Sequence, residues 1–283
     1  MEERTFKIST IEEYIIKVKE IYERNKKCLC EAGKTKHLFF RGHSKKSYEL
    51  KPSVLRNKVY SEKTILLDFV HYGPQHNINY DFERERINIL TEMQHNEIPT
   101  RLLDWSIAPL NALFFAVKDT QCDEDAEVIV FNPWCYNKKI FNYKSHSRIQ
   151  DIHVHARALL STTDDFDYIK EYLSKEFRLQ EPFISCNKFE KHHIEKPIAI
   201  VSNFTNNRIL HQRGVFTIHG TDKEPMDKWS EFKDNSWRIV IDKCKKEEIC
   251  NDLNKLYINQ YSIYPDFVGM RKQIESRRSL FNI

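Results

Sequence analysis

The sequence predicts an α+β fold, and three observations carry that prediction. Helix-type apolar periodicity dominates the first half of the chain, short apolar strand-type runs dominate the second, and no regular alternation of strands and helices links the two. The chain has 283 residues, of which 40% are apolar, with 18 Phe and 13 Tyr, ample material for a sizeable core. No low-complexity break and no internal repeat divides it.

The elements read in order. Ile11 to Lys27 carries an apolar stripe at Ile11, Tyr14, Ile15, Val18, Ile21 and Tyr22, with Ser9 or Thr10 as cap and Glu12 and Glu13 in the first turn. His37 to Gly42 is a short apolar strand that ends in Arg41 and Gly42. Lys51-Pro52-Ser53 opens a helical turn, because proline tolerates the first helical position. Helices are expected over Glu62–His71 and Asp81–His95, separated by the turn signal Gly73-Pro74. Arg101 to Trp105 is a brief extended piece. Ile107 to Val117 is an apolar helix, for which Ser106 is the expected N-cap.

Ala126 to Phe131 is a strand stopped by Asn132-Pro133. The middle, 136–196, is least regular, with helical patterns at Ile149–Leu160 and Phe166–Phe177. Strands return at Pro197–Val201, Gly214–His219 and Trp237–Ile241, and a helix is expected over Lys246–Leu256. The division that follows is an N-terminal helix within 1–36 packing on one domain, 37–283, with a helical insertion around 136–196.

Composition narrows the chemistry. Forty-five basic and 41 acidic residues leave a net charge of +4, too mixed for the concentrated basic stripe of most nucleic-acid binders. The densest basic stretch, Met270 to Arg278, reads first as a solvated helix face. With six glycines the chain holds neither GxGxxG nor GxxxxGK[ST], so no Gly-rich phosphate loop is expected. The seven cysteines, at 28, 30, 122, 135, 186, 244 and 250, form no paired CxxC. His153-Val154-His155 and His192-His193 lack nearby carboxylates or thiolates, so no metal site is expected and the thiols are read as reduced. No apolar run reaches membrane-spanning length and no signal segment is seen, which predicts a cytoplasmic protein without a membrane partner.

Three polar groups stand at element ends, where a rigid scaffold aims side chains into a common opening. Arg41 leaves the apolar strand Leu38-Phe39-Phe40 and offers a planar fork suited to phosphate or carboxylate, or else a structural ion pair. The block from Gln94-His95 through Pro99-Thr100-Arg101-Leu102-Leu103-Asp104-Trp105-Ser106 gathers His95, Arg101, Asp104, Trp105 and Ser106 around one strand-to-helix turn. There Arg101 and Asp104 can pair with each other, and Trp105 is either core or a flat surface for a ring. Gln212-Arg213-Gly214-Val215-Phe216-Thr217 forms the third group; Gln212 supplies a donor and an acceptor, and Phe216 a second ring. No GxSxG nucleophile elbow occurs.

These segments resemble the FRG domain, a mostly bacterial family. The matching pieces are Phe40-Arg41-Gly42 with Leu50-Lys51-Pro52-Ser53-Val54-Leu55-Arg56, the Gln94-His95 and PTRLLDWS block, and Gln212 to Thr217, with a weaker match at Ile263-Tyr264-Pro265-Asp266. One departure is local: Asn96-Glu97-Ile98 stands where the family usually has an aromatic, a glycine and a leucine. The layout is similar to the ADP-ribosyltransferase fold, a split β-sheet core that binds NAD in the cleft between two small sheets.

On that resemblance Arg41, Ser106 and Gln212 take the catalytic positions, Gln212 departing from the usual Glu. Arg41, His95, Arg101, Asp104, Trp105 and Phe216 would bind the cofactor. The function implied is an NAD-consuming ADP-ribosyltransferase or NAD glycohydrolase, a bacterial toxin or phage-defence effector, with NAD or an adenine nucleotide as ligand and a protein or nucleic acid as acceptor. The alternatives are a non-catalytic nucleotide- or protein-binding module and a nucleic-acid-directed toxin or nuclease.

Overall fold

The structure, a computed structural model, describes residues 3–31, 37–56, 62–76, 78, 86–140, 196–200, 207–220 and 222–276. The expected helices Ile149–Leu160 and Phe166–Phe177, both histidine pairs and the last arginines of the basic stretch lie outside these residues, as does the start of the helix expected from Asp81.

The described chain is mixed α/β, built on one seven-stranded sheet. Its elements in order are β1 (Thr5–Ile8), α1 (Ile11–Glu31), β2 (Phe39–His43), α2 (Ser53–Arg56), α3 (Glu62–Tyr72), α4 (Arg86–His95), β3 (Leu102–Ser106), α5 (Pro109–Val117), β4 (Ala126–Phe131) and α6 (Pro133–Ile140). There follow β5 (Ile198–Ile200), α7 (Asn207–Gln212), β6 (Gly214–Ile218), α8 (Ser230–Lys233), β7 (Ser236–Ile241), α9 (Lys246–Lys255), α10 (Gln260–Ile263) and α11 (Phe267–Glu275).

The strand order is β1-β7-β4-β2-β3-β6-β5. β1 pairs parallel with β7 and the other neighbours are antiparallel. β1 is absent from the sequence reading because four residues are too few to show a period. It nonetheless buries Phe6 and Ile8 and brings the N-terminal segment into the sheet.

The centre of the sheet is nearly divided. β2 follows β4 over five residue pairs and β3 follows β6 over five, yet β2 and β3 share the single pair Phe40↔Ser106. Beyond that pair the two halves, β1-β7-β4-β2 and β3-β6-β5, part.

Two apolar layers cover the sheet. On one face Phe40, Val128, Val130 and Ile239 pack under α1, α5 and α9; on the other Phe39, Leu103, Trp105, Ile129 and Phe131 pack with Trp134, Tyr136 and Phe232. The period-2 alternation of a strand sends Phe39 and Arg41 to one face and Phe40 and Gly42 to the other. Gly42 is where α5 lies on β2: a Cβ there would come within 2.0 Å of the Ala112 carbonyl oxygen and 2.5 Å of the Ala116 nitrogen.

Two expectations need correction. Ser106 is the last residue of β3, not the cap of α5. Pro109 takes the first helical position, Ala108 is the extended N-cap without a side-chain bond, and the Ser106 hydroxyl instead accepts from Ala108 N–H at 2.9 Å. Nor are all the thiols reduced: Cys28 of α1 and Cys135 of α6 form a disulfide, their Cα atoms 7.0 Å apart. Partners 107 residues apart leave no spacing signal in a sequence.

Candidate functional site

Where β2 and β3 part, a cavity of about 230 Å3 opens, walled by β2, β3, β6, α4, α7 and the turn after α10. Arg41, His95, Asp104, Trp105, Ser106, Gln212 and Phe216 all border it, together with Gln94, Arg208 and Tyr264. Arg101 does not.

Arg41 crosses the gap in the sheet. Its Nη1 donates to the Asp104 carbonyl oxygen at 2.5 Å and its Nε to His43 Nε2 at 3.0 Å. Burial lowers its pKa to about 10, with the Asp104 carboxylate opposing and the Arg56 charge adding to the depression. At that value the guanidinium stays charged at neutral pH, so the cleft holds a fixed cation with reduced solvation.

The PTRLLDW block resolves into separate tasks. Thr100 Oγ1 donates to Gln94 Oε1 at 2.5 Å, and Gln94 Nε2 donates to Asp104 Oδ2 at 2.7 Å. A helix-end amide thus fixes one oxygen of an exposed strand carboxylate. Leu103 and Trp105 face the opposite side. The Trp105 ring packs on Phe131 at 5.3 Å between centroids, and its Nε1 donates to Thr217 Oγ1 at 3.1 Å. Trp105 is therefore a core residue, 3% exposed, that meets the cavity only at an edge of its lining.

Arg101 is 1% exposed. It pairs with Glu62 of α3, Nε donating to Oε1 at 2.7 Å, and its Nη1 donates to the carbonyls of His219 and Gly220 at 2.7 and 3.1 Å. These bonds pin the loop before β3 to the end of β6, which replaces the expected cofactor contact with a structural one.

Ser106 is 4% exposed; its hydroxyl donates to the Gln212 carbonyl at 2.7 Å while accepting from Ala108. Gln212 closes α7, with Arg213 between it and β6. Arg213 follows in the left-handed region at φ 51°, ends the helix and accepts from Ile107 N–H at 3.0 Å. The Gln212 side chain donates to the Ile263 carbonyl at 3.4 Å. Phe216, 3% exposed, stands on β6 opposite Asp104. His95 closes α4, and its Nδ1 is buried without a hydrogen-bond partner.

Two further residues border the cleft that were not among the expected site residues. Arg208 of α7 donates to the His95 carbonyl at 3.1 Å and lies 4.6 Å over the Tyr264 ring. Tyr264, from the weakly matching Ile-Tyr-Pro-Asp segment, also meets Phe115 edge-on and accepts from Lys118 Nζ at 3.3 Å. Arg208 and Gln212 are four apart on one helix, so they share a face. That spacing was the available signal, hidden because the six-residue helix shows no clear period.

Residues 36–125 match the family model of the FRG domain. The chain carries an FRG domain. The match takes in Arg41, Gln94, His95, Asp104 and Ser106 and stops just before β4, so Arg208, Gln212, Phe216 and Tyr264 border the cavity from outside the matched stretch. No curated protein and no solved structure matches the chain. Among the described residues no group of three or more His, Cys, Asp or Glu could hold a metal ion, and no helix is long and apolar enough to cross a membrane. Of the C-terminal basic stretch, Arg271 lies within the described residues and pairs with Glu275.

Proposed function

We propose that the cleft binds NAD or a closely related adenine nucleotide, and that the protein is an NAD-consuming ADP-ribosyltransferase or NAD glycohydrolase. The observation that carries this reading is the position of Arg41 on a strand at the split of the sheet, facing a cavity that Arg208 borders as well. The ADP-ribosyltransferase fold likewise places NAD between two small sheets and meets it with a strand-borne Arg or His. Without a Gly-rich loop, phosphate oxygens would fall to the two guanidinium groups, whose planar donors suit them.

The reaction breaks the bond between ribose C1′ and the nicotinamide nitrogen. The bonding pair leaves on that nitrogen, and water or an acceptor atom attacks C1′ and gives up a proton. An oxocarbenium-like carbon needs negative charge nearby. Gln212 supplies none; Asp104, the one acid bordering the cavity among the described residues, is the group able to supply it. At about 230 Å3 the cavity is smaller than most ligand pockets, so it suits a nucleoside-sized part of NAD with the remainder over α7 and Tyr264.

A second reading, a binding module without turnover, is favoured by the commitment of the Ser106 hydroxyl to backbone partners and by the amide at 212. Incubation of the pure protein with NAD separates the two. Nicotinamide release supports the enzyme, calorimetric binding without release supports the module, and neither heat nor release removes the nucleotide reading.

A further inference from the structure

Behind Arg41 runs a row of charged and polar side chains. His43, two residues along β2 and 3% exposed, accepts from Arg41 Nε through its Nε2. Its Nδ1 lies 3.5 Å from Oε1 of Glu127, which sits opposite it on β4 and is fully buried. Arg238 of β7 donates to that same oxygen at 2.5 Å and to Asp227 Oδ2 at 3.1 Å.

A fully buried carboxylate is costly, and apolar side chains of similar volume would stabilise the sheet at least as well. The row nevertheless has a direction, since it ends on the Arg41 guanidinium, which bridges β2 and β3. An Nε2 that accepts a hydrogen bond cannot carry the proton, so the neutral ring is protonated on Nδ1, facing Glu127.

We infer that His43, oriented by Glu127, is a positioning residue that fixes the Arg41 fork for an anionic ligand in the cleft. This rests on the reading of the cleft as a nucleotide site. With Nε tied to His43 and Nη1 to the Asp104 carbonyl, the guanidinium plane has both ends fixed, and its remaining donors keep one heading. The groups facing His43 are Arg41 on its own strand, Glu127 of β4, Arg238 of β7 and the Tyr48 ring at 5.9 Å. Burial first, then the two arginine charges, hold the imidazole below its ordinary pKa against the pull of Glu127, which keeps the acceptor present at neutral pH.

The test uses the full chain and NAD as the probe, with affinity by calorimetry and folding by thermal melting. Three substitutions are compared. Arg41→Ala removes the fork. His43→Phe keeps ring volume and the Tyr48 contact but loses the acceptor, and His43→Gln sets an amide oxygen near the place of Nε2.

The expected result is that Arg41→Ala and His43→Phe each weaken NAD binding by about tenfold or more, the loss typical of a charge-assisted hydrogen bond. His43→Gln stays within about threefold of the parent, and adding His43→Phe to Arg41→Ala costs nothing further, because one residue acts through the other. Additive losses, or equal losses from Phe and Gln, overturn the inference and leave the nucleotide reading standing. Unchanged affinity in Arg41→Ala removes that reading and this inference with it. Should His43→Phe not fold, nitrogen NMR of the parent protein decides: an Nδ1–H imidazole with bare Nε2 supports the role, and an Nε2–H imidazole overturns it.

Discussion

The Arg41 guanidinium donates to the backbone carbonyl of Asp104, a bond made by a side chain where two adjacent strands would ordinarily make one through the backbone. β2 and β3 share the single pair Phe40↔Ser106, and beyond it the Arg41 side chain bridges the two strands. The neighbouring glycine serves the opposite face. Because α5 lies directly on Gly42, Gly42→Ala forces helix and strand apart and should cost about 3 kcal/mol or more. Chemical denaturation measures this, and a loss under about 1 kcal/mol would show that α5 shifts freely.

The loop after α4 carries a stabilising substitution. Ile98 N–H donates to the Met93 carbonyl at 2.9 Å and Glu97 N–H to the Gln94 carbonyl at 3.1 Å, the Schellman pattern, with Glu97 in the left-handed region at φ 60°. That is the position at which the FRG family usually has glycine. Glu97→Gly should raise stability by about 0.5–1 kcal/mol, relief of the left-handed penalty exceeding the added chain entropy. A lower denaturation midpoint would contradict the strain argument.

Arg101 tests the division between scaffold and cleft. Arg101→Gln leaves Glu62 and two carbonyls without their donor and should destabilise by about 2–4 kcal/mol. NAD affinity of the folded variant, measured well below its melting temperature, should match the parent. A selective loss of affinity with unchanged melting would return Arg101 to the site.

The block around Arg101 shows how far a sequence can be read. Asp104 and Ser106 were legible as cleft residues of β3, whereas Trp105, read together with them as a cofactor contact, packs on Phe131 instead. Which of Arg101 and Asp104 turns inward was not legible, since that depends on Glu62 of α3, 39 residues earlier in the chain. Gly42 and Arg41 were legible as a pair at a strand end. Arg208 was not, because α7 has only six residues, and Tyr264 reaches the cleft through α10, whose four residues end at the Ile263 carbonyl that Gln212 meets. Pro109, visible from the start, sets the first turn of α5 and thereby frees Ser106 from capping.

Acid should unfold the protein partly through His219. This ring is fully buried, and desolvation, followed by the Arg101 charge, lowers its pKa from 6.5 to about 3. Above pH 6.5 both folded and unfolded states are neutral there and nothing changes. Between pH 6.5 and about 3 the unfolded chain takes up a proton that the folded chain refuses, so stability falls with pH. The loss reaches roughly 5 kcal/mol at its limit, at about 1.4 kcal/mol per unit. His219→Gln removes that slope, so its stability curve should decline less steeply than the parent's below pH 6.5. Parallel curves would assign acid sensitivity elsewhere.

Gln212→Glu is the sharpest test of chemistry at the cleft. The substitution places a carboxylate at the end of α7, one turn from Arg208, where an ion pair across four residues is geometrically allowed. It also loses the donor to the Ile263 carbonyl, a long bond at 3.4 Å whose loss is small. If the cleft cleaves NAD through an oxocarbenium-like state, added negative charge on the α7 wall should raise nicotinamide release by about tenfold or more, the equivalent of one well-placed electrostatic contact. Gln212→Ala should lower release while melting stays near the parent value, because the 212 carbonyl that Ser106 uses belongs to the backbone. A Glu variant that binds NAD as the parent does and releases no more nicotinamide leaves Asp104 as the acid to test next. A Glu variant that binds NAD while neither protein releases nicotinamide favours the module that recognises a nucleotide and does nothing further to it.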